Sequence, residues 1–171
     1  MRFSQLDQIT ELAPGERITA VKRLSAGEQY LEDHFPRFPV MPGVLMLEAM
    51  FQAAVWLVRQ SEGFAHSMVV LKEARNVKYA GFVKPGETLV VSAEIVKEER
   101  DAVTLKTQGM VDDKLAVNAR LVVERFNLAD RFPSRSSTDP YLKNESRQQM
   151  ARLLQAGPAA PDAGIQRPHQ P

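Results

Sequence analysis

Two hydrophobic periods divide this chain. Between Pro42 and Gln60 the run PGVLMLEAMFQAAVWLVRQ is apolar on nearly every side, with only Glu48 and Gln52 interrupting from Val44 to Val58. Strong helix formers fill it, Pro42 takes the first helical position, and Gly63 stands just beyond as a stop. The pattern predicts one helix of about five turns. Further on the period falls to two, the mark of strands, over 68–79, 88–97, 102–110 and 114–125. In 88–97 one face holds Leu89, Val91, Ala93 and Ile95. In 114–125 Leu115, Val117, Ala119, Leu121 and Val123 lie opposite Lys114, Asn118, Arg120 and Glu124. An earlier strand, RITAVK at 17–22, follows the turn signal Pro14-Gly15.

The links after the helix are short. Lys84-Pro85-Gly86, Glu99 to Asp101 and Asp112-Asp113 are hairpin-sized and carry turn chemistry. An antiparallel meander packed on one long buried helix, an α+β arrangement, is the expected fold. Beyond Phe126 the composition turns to Asp, Pro, Arg and Ser, which reads as a linker over 127–138. Asp139 as N-cap and Pro140 after it then open an amphipathic helix over 139–157, stopped by Gly157. The last residues, 158–171, are too rich in proline and too poor in large apolar side chains to fold alone, and are expected to be disordered. The domain itself is expected to span 1–126.

An all-round apolar helix has two readings, a membrane span or the centre of a core. A span needs ~20 apolar residues, and a carboxylate near its middle costs ~2.5 kcal/mol or more. Glu48, the opening Pro-Gly and the strand-rich remainder favour the core, so no membrane span is expected. The N-terminal MRFSQLDQITEL lacks the apolar stretch of a signal peptide, and a cytoplasmic location follows as the expectation.

Composition narrows the chemistry. Twenty-two basic against 21 acidic residues give a net charge of +1, with no global field for nucleic acid. There is no cysteine, which removes disulfides, thiolate nucleophiles and cysteine-held zinc. The three histidines, at 34, 66 and 169, have no second ligand at a common metal spacing, so no metal is expected. His66 and His169 read as surface residues, Phe51 and Trp56 as core. Lys72, Arg75, Lys78 and Lys84 read as the solvated face of strands and turns, of a sign that an acidic partner could use.

The chemistry concentrates in His34-Phe35-Pro36-Arg37-Phe38-Pro39-Val40-Met41-Pro42-Gly43. Three prolines in seven positions stiffen the path from the histidine into the helix. The helix opens on N–H groups without partners, and Gly43 has no side chain to hold a ligand away. A carbonyl oxygen would find there a donor that favours developing negative charge. Five residues on, about 7.5 Å along the axis, Glu48 offers a proton donor for a departing hydroxyl. Gln52, four residues later on the same face, is placed to orient it.

These residues together resemble the beta-hydroxyacyl carrier-protein dehydratases of the FabA/FabZ type. The likeness runs through APGERITAVKRLS, then E-x-Y-x-x-x-H-F-P-x-x-P-V-M-P-G-V-L-x-x-E-A-M-x-Q, then V-K-P-G-E-T-L, across residues 8 to 125. It implies a hot-dog fold and dehydration of a (3R)-3-hydroxyacyl chain held on acyl carrier protein by its phosphopantetheine arm. No cofactor of the enzyme's own is implied. The implied assembly is a homodimer, in many members a trimer of dimers, with the histidine and the acid of each site coming from different subunits. By position His34 is implied as general base, Glu48 as acid and Gly43 as the N–H donor to the thioester carbonyl. The Val40 carbonyl is implied to hold the imidazole tautomer. Glutamate at 48 places the chain nearer the FabZ type, which dehydrates without isomerising. Two positions depart from the pattern: Asp33 and Arg37 stand where the family commonly has glycine. A hot-dog thioesterase and a non-catalytic acyl-thioester-binding protein are the alternatives.

Overall fold

In the computed structural model, which describes residues 3–156, six strands form one antiparallel sheet that curls around a helix. The strands are β1 (Gln8–Ala13), β2 (Arg17–Arg23), β3 (Met68–Tyr79), β4 (Thr88–Glu98), β5 (Ala102–Val111) and β6 (Lys114–Phe126), in the order β1-β2-β4-β5-β6-β3. The helix is α1 (Gly43–Ser61). Pro42 is its N-cap, not its first residue, so the helix begins one residue later than expected, and Gly63 beyond its end adopts φ +61°, where a Cβ would be strained.

One face of α1 presents Met46, Ala49, Met50, Ala53, Ala54, Leu57 and Val58 to the sheet, all buried. They meet Leu89, Val91 and Ala93 of β4 and Leu121 and Val123 of β6 in a single core. Small alanines let the helix axis approach the strands, and the longer side chains fill the spaces between.

β1 has no counterpart in the sequence reading. Its six residues bury only Ile9 and carry a bulge between Ile9 and Glu11, so no alternation survives to mark a strand. The meander is also partial. β4, β5 and β6 follow one another, but β3 pairs with β6 at the far edge, and not with β4. The segment 80–87 is therefore a crossover past two strands, although its Pro-Gly turn chemistry resembles a hairpin's. In β6 the expected inner face fails at its start: Leu115 is exposed and Ala116 buried, because the register shifts opposite Gly109 and Met110. At Gly109 an added Cβ would lie 2.8 Å from Val117 Cγ1 and 2.9 Å from Leu89 Cδ1. Gly109→Ala therefore overpacks the core and destabilises by about 1–3 kcal/mol, readable as a lower urea midpoint at unchanged slope.

Residues 127–138, read as a linker, contain helical turns: α2 (Leu128–Arg131) and a 3-10 turn at Pro133–Arg135. The last helix, α3 (Thr138–Gln155), begins one residue before the expected N-cap. Asp139 does not cap α3. It is buried, and its carboxylate accepts from the N–H of Leu128 at 2.8 Å, the N–H of Ala129 at 3.0 Å and the hydroxyl of Ser67. The cap thus serves the first turn of α2, whose donors have no partner inside so short a helix. Gly157, the expected stop, and the tail 158–171 lie outside the described residues. Among the described residues no helix is long and apolar enough to cross a membrane.

Candidate functional site

His34 sits in the loop that enters α1. A turn closes under it, with the Phe38 N–H donating to the Phe35 carbonyl at 2.7 Å. The Met41 N–H then donates to the Val83 carbonyl at 2.8 Å, which ties the loop's end to the crossover segment. Phe38 meets Phe82 edge to face at 5.6 Å, again across to that segment. The one left-handed residue of the loop is Phe35, at φ 53°. Asp33 and Arg37 stand outside that region, so the absence of glycine at these positions costs no backbone strain.

The Nδ1 of His34 is 2.9 Å from the Val40 carbonyl oxygen. A carbonyl can only accept, so the neutral ring carries its proton on Nδ1 and keeps a lone pair on Nε2. That is the form a general base requires.

Gly43 is the first residue of α1, where the N–H has no acceptor within the helix. The aromatic ring of Tyr79, from the end of β3, lies over it: a Cβ at 43 would be 3.0 Å from Tyr79 Cε1. Tyr79 was not singled out from the sequence, where it is one more aromatic at a strand end. Its ring explains in steric terms why a side chain at 43 is unwelcome.

Glu48 lies half-buried on the outer face of α1. Gln52 Nε2 donates to Glu48 Oε1 at 2.8 Å and to the Phe3 carbonyl at 3.0 Å, while Gln52 Oε1 accepts the Gln5 N–H at 2.8 Å. These fixed partners leave the amide one orientation. Because Oε1 already accepts from Gln52, a proton carried by Glu48 belongs on Oε2, which has no hydrogen-bond partner among the described residues. Glu48 and Gln52 line a groove of about 660 Å³ together with Phe51, Val55 and Trp56. Phe51 and Trp56, expected as core, are half-buried: they pack on the core with one side and line the groove with the other.

His66 is not a free surface residue. Its Nδ1 lies 2.8 Å from Glu62 Oε2, and Arg125 reaches the same carboxylate at 3.6 Å, which makes it part of an ion-pair cluster at the end of α1. His169 lies outside the described residues.

A curled antiparallel sheet around one central helix is the hot-dog fold, and solved structures agree. A chain of the dehydratase heterocomplex ApeI:P from Xenorhabdus doucetiae superposes with a TM-score of 0.61 over 77% of this chain and 88% of that one, at 16% identity. Within that class, the family model of the FabA-like domain matches residues 1–120, and the chain belongs to this family. Among curated proteins it is similar to the 3-hydroxyacyl-[acyl-carrier-protein] dehydratase FabZ of Lactiplantibacillus plantarum, 39% identical over 116 residues, 68% of this chain and 79% of the relative. The enzyme of that name from Thiobacillus denitrificans is 41% identical over 123 residues, 70% of this chain and 85% of the relative.

Proposed function

We propose that the chain is a hydro-lyase that converts a (3R)-3-hydroxyacyl thioester on acyl carrier protein into the trans-2-enoyl thioester, in fatty acid or related lipid synthesis. The observation that carries the reading is the His34 Nδ1 contact to the Val40 carbonyl, which presents a basic Nε2 in a family whose members dehydrate such thioesters. His34 takes the proton from C2, and the thioester oxygen accepts from the Gly43 N–H as charge develops there. Glu48 Oε2 gives its proton to the C3 hydroxyl, which leaves as water as the C2–C3 double bond forms. Gln52 holds the carboxyl in place from Oε1. No cofactor takes part; the phosphopantetheine arm belongs to the substrate.

The working unit is a homodimer. β3, twelve residues long, is bonded to β6 along one side, and among the described residues no strand pairs with its other edge. An open edge of that length is a template for pairing with another strand. Phe35, Phe38, Val44, Tyr79 and Phe82, all exposed, surround the His34 loop and the start of α1, a further apolar patch suited to a partner. The reading keeps the cytoplasmic location expected from the sequence.

The test is the dehydration run in reverse: loss of enoyl absorbance from crotonyl thioester as water adds, with release of free thiol measured in parallel. Absorbance loss without thiol supports the dehydratase. Thiol release marks a thioesterase, and binding without either marks an acyl-binding protein. The carrier's docking site is tested separately. Lys84 is exposed, with Nζ 5.8 Å from the Phe38 ring beside the His34 loop. Lys84→Glu is expected to raise KM several-fold for carrier-bound substrate and to leave the coenzyme A thioester unaffected, since charge reversal at a rim acts on encounter with an acidic partner.

A further inference from the structure

The groove beside Glu48 has a second wall that the family domain does not supply. Along α1 it runs from Glu48 to Arg59, an advance of about 16 Å at helical rise. The facing wall is α3, through Ser146, Gln149, Arg152 and Leu153. The family match stops at residue 120, well before α3 begins.

That wall is held firmly. Asp139 ties its first turn to Ser67 and α2. Arg147 Nη2 donates to the Gly63 carbonyl at 3.3 Å, with its guanidinium 5.2 Å from the Phe64 ring, which fixes α3 against the C-terminal end of α1. Met150 is 2% exposed and belongs to the core. A helix so anchored sets the width of the groove it borders.

The groove is polar at Glu48 and Gln52, apolar along Phe51, Val55 and Trp56 opposite Leu153, and polar again at Arg59. Arg59 Nη2 donates to the Ser67 carbonyl at 3.1 Å, while its Nη1 is buried and, among the described residues, has no acceptor. An alkyl chain whose thioester lies at Glu48 is covered along the middle, and methylenes that reach further would press on a buried guanidinium that they cannot satisfy.

We infer that α3 is an acyl-chain gauge: the groove between α1 and α3 holds a linear chain of medium length, with Leu153 setting its width and Arg59 its end. This rests on the dehydratase reading for the placement of the thioester at Glu48.

The experiment compares kcat/KM for crotonyl, octenoyl and hexadecenoyl thioesters in the full chain. It is paired with binding of the matching unreactive acyl-pantetheine thioethers, and with melting temperature and oligomeric mass. Wild type should prefer octenoyl to hexadecenoyl. Leu153→Trp should lower the octenoyl-to-crotonyl ratio about tenfold, the scale of a methylene-sized misfit in an apolar pocket. Leu153→Ala should relax discrimination against hexadecenoyl, and Leu154→Trp, one position off the groove, should leave the profile as in wild type. The thioether affinities should follow the same order. Unchanged ratios and affinities in folded Leu153 variants overturn the gauge, as does a changed oligomeric mass, which would make the groove a subunit seam. A wild type that binds thioethers with this profile but hydrates no thioester overturns the dehydratase reading and leaves the gauge standing.

Discussion

His34→Ala and Glu48→Gln each lower kcat/KM for enoyl-thioester hydration by about 100- to 10,000-fold, the range for a positioned acid or base, at little change in melting temperature. Glu48→Gln keeps the oxygen that accepts from Gln52 and replaces only the proton-carrying side, so the hydrogen bonds to Phe3 and Gln5 remain. His34→Ala loses the contact to the Val40 carbonyl but not the backbone bonds that shape the loop. Coexpression of the two variants tests where the residues of one site come from. If each site takes histidine from one subunit and glutamate from the other, a mixed dimer holds one intact site and one doubly disabled site. Random pairing then restores roughly a quarter of wild-type activity. If both come from one chain, every site in the mixture lacks one of them and nothing is restored. Restoration sinks the single-chain site, and its absence sinks the shared one.

What the sequence revealed, and what it hid, follows from how far each signal reaches. α1 and four later strands were legible because periodicity is local: each residue's side of the element is decided by its neighbours two or four positions away. The four-residue step from Glu48 to Gln52 is of the same kind, and the hydrogen bond between them is present. The place of β3 at the far edge was not legible, because the segment 80–87 carries the same turn residues whether it closes a hairpin or crosses two strands. β1 escaped because one buried residue makes no period. Asp139 shows the limit of capping signals: the residue type was read correctly as a cap, but the helix it caps lies ten residues earlier in the chain. Phe51 and Trp56 show the limit of hydrophobicity, which marks a side chain as seeking cover without saying whether the cover is the core or a substrate. The Tyr79 ring over Gly43 joins residues 36 positions apart, and only the folded chain brings them together.

Asp139→Ala is expected to lower the melting temperature by several degrees and to flatten the acid limb of the stability curve. The carboxylate serves three donors at once, Ser67 through its hydroxyl and Leu128 and Ala129 through their N–H groups; without it the Ser67 hydroxyl and the Ala129 N–H lose this acceptor and the Leu128 N–H keeps only the Ser67 hydroxyl oxygen at 3.0 Å, where the chain turns from β6 into α2 and α3. Asn is a poor substitute. One of its two positions would be an NH₂ facing a donor, Ala129 on one side or Ser67 and Leu128 on the other. The Ser67 hydroxyl first, then the Ala129 and Leu128 N–H groups, hold the Asp139 carboxyl below its ordinary value of 3.8. A carboxyl with a folded pKa below its unfolded one stabilises fully above the unfolded value and loses that contribution as pH falls through the folded value. The gap in urea midpoint between wild type and Asp139→Ala should therefore be full near neutrality and narrow from about pH 5 downward. A gap that stays constant into acid would show that the carboxylate's charge has no part in holding α2 and α3. The same variant bears on the acyl groove, because α3 is its wall. If Asp139 anchors that wall, discrimination among chain lengths weakens at neutral pH while Glu48, fixed by Gln52 on α1, is untouched.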